Sequence, residues 1–191
     1  FEGTEILEVM TKWKEKKNIV RPITAVFIAD ISDSMVGRPL DELKNSLKTS
    51  SRQIHNQNSI GFISFASRIY NNLQIGRFNR NQQELFNGAV SRLKTEPGGT
   101  KIYSSIICGL KVLIDEKEKN PDADLRLFLL SDGKAFKDNY MLNDLEEIIK
   151  DSNIPIYTIA YGDEADKNSL IKLSDINEAT NLLPNDFTDD R

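Results

Sequence analysis

"ITAVFIADISDSM", residues 23–35, joins two stretches of opposite character. Residues 23–29 form a continuous apolar run with β-branched members, the pattern of a strand buried on both faces. Directly after it come Asp30, Ser32, Asp33 and Ser34, two carboxylates and two hydroxyls within five positions. Polar groups at the end of a buried strand are costly to desolvate unless something satisfies them. The strand indicates the fold, and the cluster marks where the chemistry of that fold should sit.

Outward from this stretch, strands and helices alternate. Helical spacing of Leu40, Leu43, Leu47 and Ile54, with Pro39 suited to a first turn, predicts a helix over 39–55. Strands follow at 59–66 and 68–76, close enough to form a hairpin. Helices are predicted at 81–93 and 100–119, a buried strand at 125–131, a helix at 140–151, a strand at 154–162 and a last helix at 165–176. Apolar strands alternating with helices imply an α/β fold. The expected architecture is a Rossmann-like, doubly wound, mostly parallel sheet with one antiparallel edge strand and helices on both faces. Residues 3–17 suggest an amphipathic helix carrying Ile6, Leu7, Val9, Met10 and Trp13. The expected organisation is a flanking segment over 1–20, one domain over 21–180 and a polar tail over 181–191.

Composition narrows the function classes. The chain has 25 Lys and Arg against 29 Asp and Glu, a net charge of −4, so it has no general attraction for phosphate backbones and nucleic acid is not an expected partner. No apolar stretch approaches the ~20 residues of a transmembrane helix, and no direct membrane insertion is expected of this segment. The start at Phe1 is expected to mark a piece of a larger chain. The single cysteine, Cys108, lies in apolar "IICGLKVLI" and reads as a buried free thiol. Sparse cysteine and the lack of an N-x-S/T sequon favour a bacterial surface or secreted protein over a cytoplasmic one.

Open α/β sheets bind ligands beyond the C-terminal ends of their strands, where the strand order reverses. The polar residues that follow the apolar strands are therefore the candidates. "DISDSM" follows the first strand, "DGKAF" with Asp132 follows the strand at 125–131, and "EPGGTK" places Thr100 at or near the N-cap of the long helix. Asp30, Ser32, Ser34, Thr100 and Asp132 are all small oxygen donors with no His or Cys among them. Such a set suits Mg²⁺, Mn²⁺ or Ca²⁺ and disfavours zinc or copper. With two carboxylates in the set, a divalent cation keeps an open position for another anionic oxygen.

"DISDS", a downstream "GGT" opening a helix, and "LLSDG" after a buried strand together resemble the von Willebrand factor type A domain and its metal ion-dependent adhesion site. The family motif, D-x-S-x-S followed by a Thr and then an Asp, falls on Asp30, Ser32, Ser34, Thr100 and Asp132 with no position missing. The resemblance covers most of the chain. It implies that the two serines bind the metal directly, Thr100 directly or through water, and Asp30 and Asp132 largely through bridging waters. It also implies a protein ligand whose Asp or Glu carboxylate completes the coordination. One position departs from the pattern: Asp33 stands where family members often carry Gly. Two readings of it are open, one pointing away from the metal and one adding negative charge beside it, which would recruit a basic group from the partner.

The expected function is thus divalent-cation-dependent protein binding without catalysis. Within the same fold, an intracellular assembly or scaffold module is the alternative. Outside it, a metal-dependent phosphoryl-transfer enzyme could use Asp30 as nucleophile. That chemistry is served by D-x-D, whereas the second position here is Ser32 and Asp33 has the wrong spacing; Lys134 near Asp132 is the one residue that suits it. No G-x-S-x-G, G-x-G-x-x-G or Walker arrangement is present. His55 reads as a helix C-terminal or surface residue, "GDEAD" (162–166) as the start of the last helix, and "GRFNRN" (76–81) with Arg68 as solvated surface.

Overall fold

β1 (Ile23–Asp30) is buried at every position. The reason is its place in the sheet, whose strand order is β3-β2-β1-β4-β5-β6. β2 (Ser59–Phe65) and β4 (Asp124–Ser131) flank β1, both parallel to it, and helices cover both sides. β3 (Ile69–Arg77) runs antiparallel to β2 at one edge, and its residues are half-buried or exposed. β5 (Ile156–Ala160) pairs in parallel with β4. The computed structural model describes residues 22–179 and 181–182. The helix expected over 3–17 and residues 183–191 lie outside the described residues.

Five helices connect the strands: α1 (Arg38–Ser51), α2 (Arg80–Ser91), α3 (Ile102–Lys119), α4 (Leu142–Ser152) and α5 (Lys167–Asp175). Alternation along β1 sorts them into two layers. Ala25, Phe27 and Ala29 face Leu40, Leu43 and Leu47 of α1 and Phe86, Ala89 and Val90 of α2. Val26 and Ile28 face Ile102, Ile106, Leu110 and Leu113 of α3, with α4 and α5 in the same layer. On the first face, Phe27 stacks on Phe128 at 5.0 Å and Phe128 on Tyr157 at 5.1 Å, so one aromatic row crosses β1, β4 and β5. On the second face α3 lies so close that a Cβ on Gly109 would come within 2.7 Å of Ile28 and 2.8 Å of Leu127.

The α/β, doubly wound, mostly parallel sheet with one antiparallel edge strand is present as expected. From β1 the chain builds outward through β2 and β3, then returns past β1 to build β4, β5 and β6 on the other side. The order reverses between β1 and β4.

Several local expectations are corrected. Asn181–Leu182 pair with β5 as a sixth strand, where a polar tail was expected; two residues are too short a run to carry a strand pattern. α1 ends at Ser51, short of the expected 55; His55 lies in the following turn and is exposed, in line with its surface reading, with its Nδ1 accepting from the Gln57 N–H at 3.2 Å. Cys108 is half-buried, not enclosed. Phe78, expected on a solvated patch, is 3% exposed and packs edge-on to Phe86 at 5.7 Å.

Candidate metal centre

Asp30 is the last residue of β1, and its carboxylate is fully buried. The chain then turns back on it. Asp30 Oδ1 accepts from the Ser32 N–H at 2.9 Å and from the Ser32 hydroxyl at 2.6 Å. Asp30 Oδ2 accepts from the Ser131 hydroxyl at 2.5 Å. A short 3₁₀ turn, Asp33–Met35, follows and anchors itself through buried Met35. That turn brings the Ser34 hydroxyl to 3.1 Å from the Ser32 hydroxyl. Ser32 is buried and Ser34 exposed, so the donors run from the interior to the surface.

β4 delivers the second carboxylate. Asp132 follows β4 directly and is 4% exposed. Its Oδ1 accepts from the Lys134 N–H at 3.0 Å, and its carbonyl from the Asp166 N–H at 2.7 Å, so the start of α5 braces it. Gly133 sits at φ +78°, and a Cβ there would lie 2.6 Å from the Asp166 carbonyl oxygen. Ser131 ties the two strand ends together, bonding Asp30 with its hydroxyl while that oxygen accepts from the Gly133 N–H at 3.0 Å.

Thr100 enters from the loop before α3 and is 6% exposed. Its backbone exchanges two hydrogen bonds with Phe136, at 2.8 and 3.1 Å, and Lys101 N–H bonds the Ala66 carbonyl at 2.9 Å. Glu96, in the same loop, bonds the Ile31 carbonyl through its N–H at 2.7 Å, and Tyr70 holds its carboxylate at 2.8 and 3.0 Å. The expected capping role of Thr100 is not found. α3 begins at Ile102, and its first turn is capped by Asp138, which accepts from the Tyr103 N–H at 2.7 Å and the Ser104 hydroxyl at 2.5 Å. Asp166 does cap α5, accepting from the Ser169 N–H at 3.2 Å and hydroxyl at 2.6 Å.

The five sequence candidates therefore converge at the strand-order reversal between β1 and β4. Ser34 and Thr100 line one shallow depression of about 320 Å³ together with Asp33, Gly98, Gly99, Lys134 and Phe136. Asp33 is thus on the lip of that depression. Burial pushes the Asp30 carboxyl up to about 6, Ser131 and Ser32 pull against that rise, and the neighbouring charge of Asp132 adds to it. Among the described residues, no Lys, Arg or His pairs with Asp30, and no group of three or more His, Cys, Asp and Glu is arranged to hold a metal ion. Two buried carboxylates beside paired hydroxyls fit a hard cation, which favours the charged form of Asp30 that burial opposes. Ser131 was missed at the sequence level, although it stands in "LLSDG"; its signal was a hydroxyl facing inward at a strand end.

Together, the sheet and the oxygen cluster define an α/β domain with a candidate site at its topological switch point. A model of the von Willebrand factor type A domain family matches residues 25–189, and the chain belongs to that family. A von Willebrand factor A domain-containing protein of Dictyostelium discoideum is 28% identical over 152 residues, covering 78% of this chain and 16% of its own length. The chain thus spans a small part of that relative. Among solved structures, a von Willebrand factor type A protein from Catenulispora acidiphila superposes with a TM-score of 0.72 at 20% identity, covering 85% of this chain and 38% of that one. The manganese-loaded TRAP protein of Plasmodium vivax superposes with a TM-score of 0.61 at 14% identity, covering 80% and 62%.

Proposed function

We propose that this domain binds one divalent cation, Mg²⁺ or in its place Mn²⁺ or Ca²⁺, through Asp30, Ser32, Ser34, Thr100 and Asp132. Through the open side of that cation it binds a carboxylate of a protein partner, without catalysing a reaction. The observation that carries the reading is the pairing of the Ser32 and Ser34 hydroxyls at 3.1 Å beside a buried carboxylate that no side-chain cation among the described residues neutralises. The manganese held by the Plasmodium relative of the same fold supports it. In this reading the serines face the cation from the turn, Thr100 faces it from the α3 loop, and Asp30 and Asp132 supply negative charge from below. The cation supplies a Lewis-acidic position for an anionic oxygen.

The phosphoryl-transfer alternative has less support. A nucleophilic carboxylate needs one oxygen free to attack a phosphorus atom. Both oxygens of Asp30 are engaged, by Ser32 and by Ser131, and neither reaches the surface.

Calorimetric titration of Mg²⁺ and Mn²⁺ into chelator-treated protein tests the proposal. Saturable binding at one site per chain is expected, with loss of binding in Ser32→Ala and Asp132→Ala proteins that still melt cooperatively. Binding unchanged by both substitutions would place the cation elsewhere and end the proposal.

A further inference from the structure

Resting on the metal reading above, we propose that the segment from Lys134 to Met141 is a second part of the partner surface. It selects a protein segment in which the metal-seeking acidic residue has a large apolar neighbour.

Phe136 is 57% exposed, yet its backbone is not free to withdraw the ring. Both its N–H and its carbonyl are bonded to Thr100, and two residues later Asp138 is fastened to the first turn of α3 by the Tyr103 N–H and the Ser104 hydroxyl. The backbone that carries this exposed ring is therefore held beside Thr100. Tyr140 and Met141, the latter 74% exposed, continue the apolar surface along the same segment. Single exposed apolar residues are ordinary, but here three large ones fall within six positions of one tethered segment. Fixed aromatics beside a polar anchor are a common form of binding hot spot, because little side-chain entropy is lost on contact.

Charge gives the surface a direction. The depression that Ser34 and Thr100 line is also lined by Lys134 and Phe136 and by Asp33. Lys137 stands beside Phe136 with its Nζ 5.1 Å from the ring centroid. Lys134 is held only loosely, 3.8 Å from an almost fully exposed Glu164. In a chain of net charge −4, two lysines and an exposed ring thus stand at or beside the depression that Ser34 and Thr100 line. An acidic residue at the metal with its apolar neighbour toward Phe136 suits this lining. A second acidic residue toward Asp33 meets a like charge.

The probes are three capped peptides, Ac-Gly-Asp-Phe-NH2, Ac-Gly-Asp-Gly-NH2 and Ac-Gly-Asn-Phe-NH2, titrated into isotope-labelled domain in saturating Mg²⁺ and followed by amide chemical shifts. The Asp-Phe peptide should bind about fivefold more tightly than Asp-Gly, as expected for burying some ~40 Å² of apolar ring. Asn-Phe should not bind, and chelation should abolish the Asp-Phe shifts. Phe136→Ser should erase the preference for Phe while leaving Mg²⁺ binding intact, and Leu85→Ser, on the remote face of α2, should change neither. Equal binding of the two Asp peptides would overturn the inference and leave the metal reading standing. Equal binding of Asn-Phe would overturn it as well, because the aromatic contact would then act without the metal. No Mg²⁺-dependent shift with any Asp peptide would remove the carboxylate reading, and the inference with it.

Discussion

Two charged side chains are buried at opposite ends of the β1–β4 pair, and they are satisfied in opposite ways. Arg126, near the start of β4, is 1% exposed and has its counter-charge inside the protein: its guanidinium donates to Asp124 at 3.2 Å and to the Tyr157 hydroxyl, and lies 5.5 Å from the centre of the Tyr157 ring. Asp30, at the end of β1, is equally buried, but its partners are two hydroxyls and an amide. Those groups stabilise the anion without neutralising it. Burial with a counter-ion makes a structural element. Burial with hydrogen bonds alone leaves a charge that the proposed cation would complete.

The largest effect should come from breaking the closed pair. Arg126→Met leaves Asp124 and the Tyr157 hydroxyl without their partner, and should cost about 3 kcal/mol in urea unfolding. Metal affinity should be unchanged. A parallel loss of metal binding would mean that the two ends are not independent.

Asp30→Asn should do the reverse. In chelator at neutral pH it should be as stable as the parent or more so, while losing the stabilisation that Mg²⁺ confers. Burial pushes the Asp30 carboxyl up from 3.8 to about 6 in the folded chain, so the folded state binds the extra proton between those values. Stability of the metal-free protein should therefore fall as pH rises through that window, by about 3 kcal/mol for this group alone. The substitution should flatten that slope, which is read from unfolding curves across the pH range. For the same reason, Mg²⁺ affinity should rise with pH up to and through about 6.

Gly133→Ala sharpens the comparison from the β4 side. The positive φ and the approach to the Asp166 carbonyl should cost about 2 kcal/mol, and displacement of Asp132 should weaken the metal as well. A loss of stability with unchanged metal affinity would show that Asp132 is not part of the site. Ser131→Ala should be milder, at about 1 kcal/mol, and should raise the Asp30 titration point because a hydrogen bond to the charged form is lost.

Much of this was legible in the sequence where one residue type carries one job. The apolar run before Asp30 located the central strand, and the small oxygen donors after two strands located the switch point. What was not legible depends on partners distant in sequence. Thr100 looks like a cap because a hydroxyl precedes a helix, yet the cap is Asp138, 35 residues away from Tyr103. Phe78 looks like surface because arginines and asparagines flank it, yet it fills the α2 face. Ser131 gave no pattern of its own beside Asp132, and its role exists only because β1 and β4 are neighbours. Asn181–Leu182 join the sheet through pairing with β5, which no local propensity announces.

The most direct measurement is amide NMR of the labelled domain titrated with substoichiometric Mn²⁺, whose unpaired electrons broaden nearby signals. The account predicts loss of signal first at Ile31–Met35, Gly99–Lys101 and Asp132–Gly133, reversed by excess Mg²⁺. Broadening spread over the acidic surface of the helices, with those three segments spared, would contradict it.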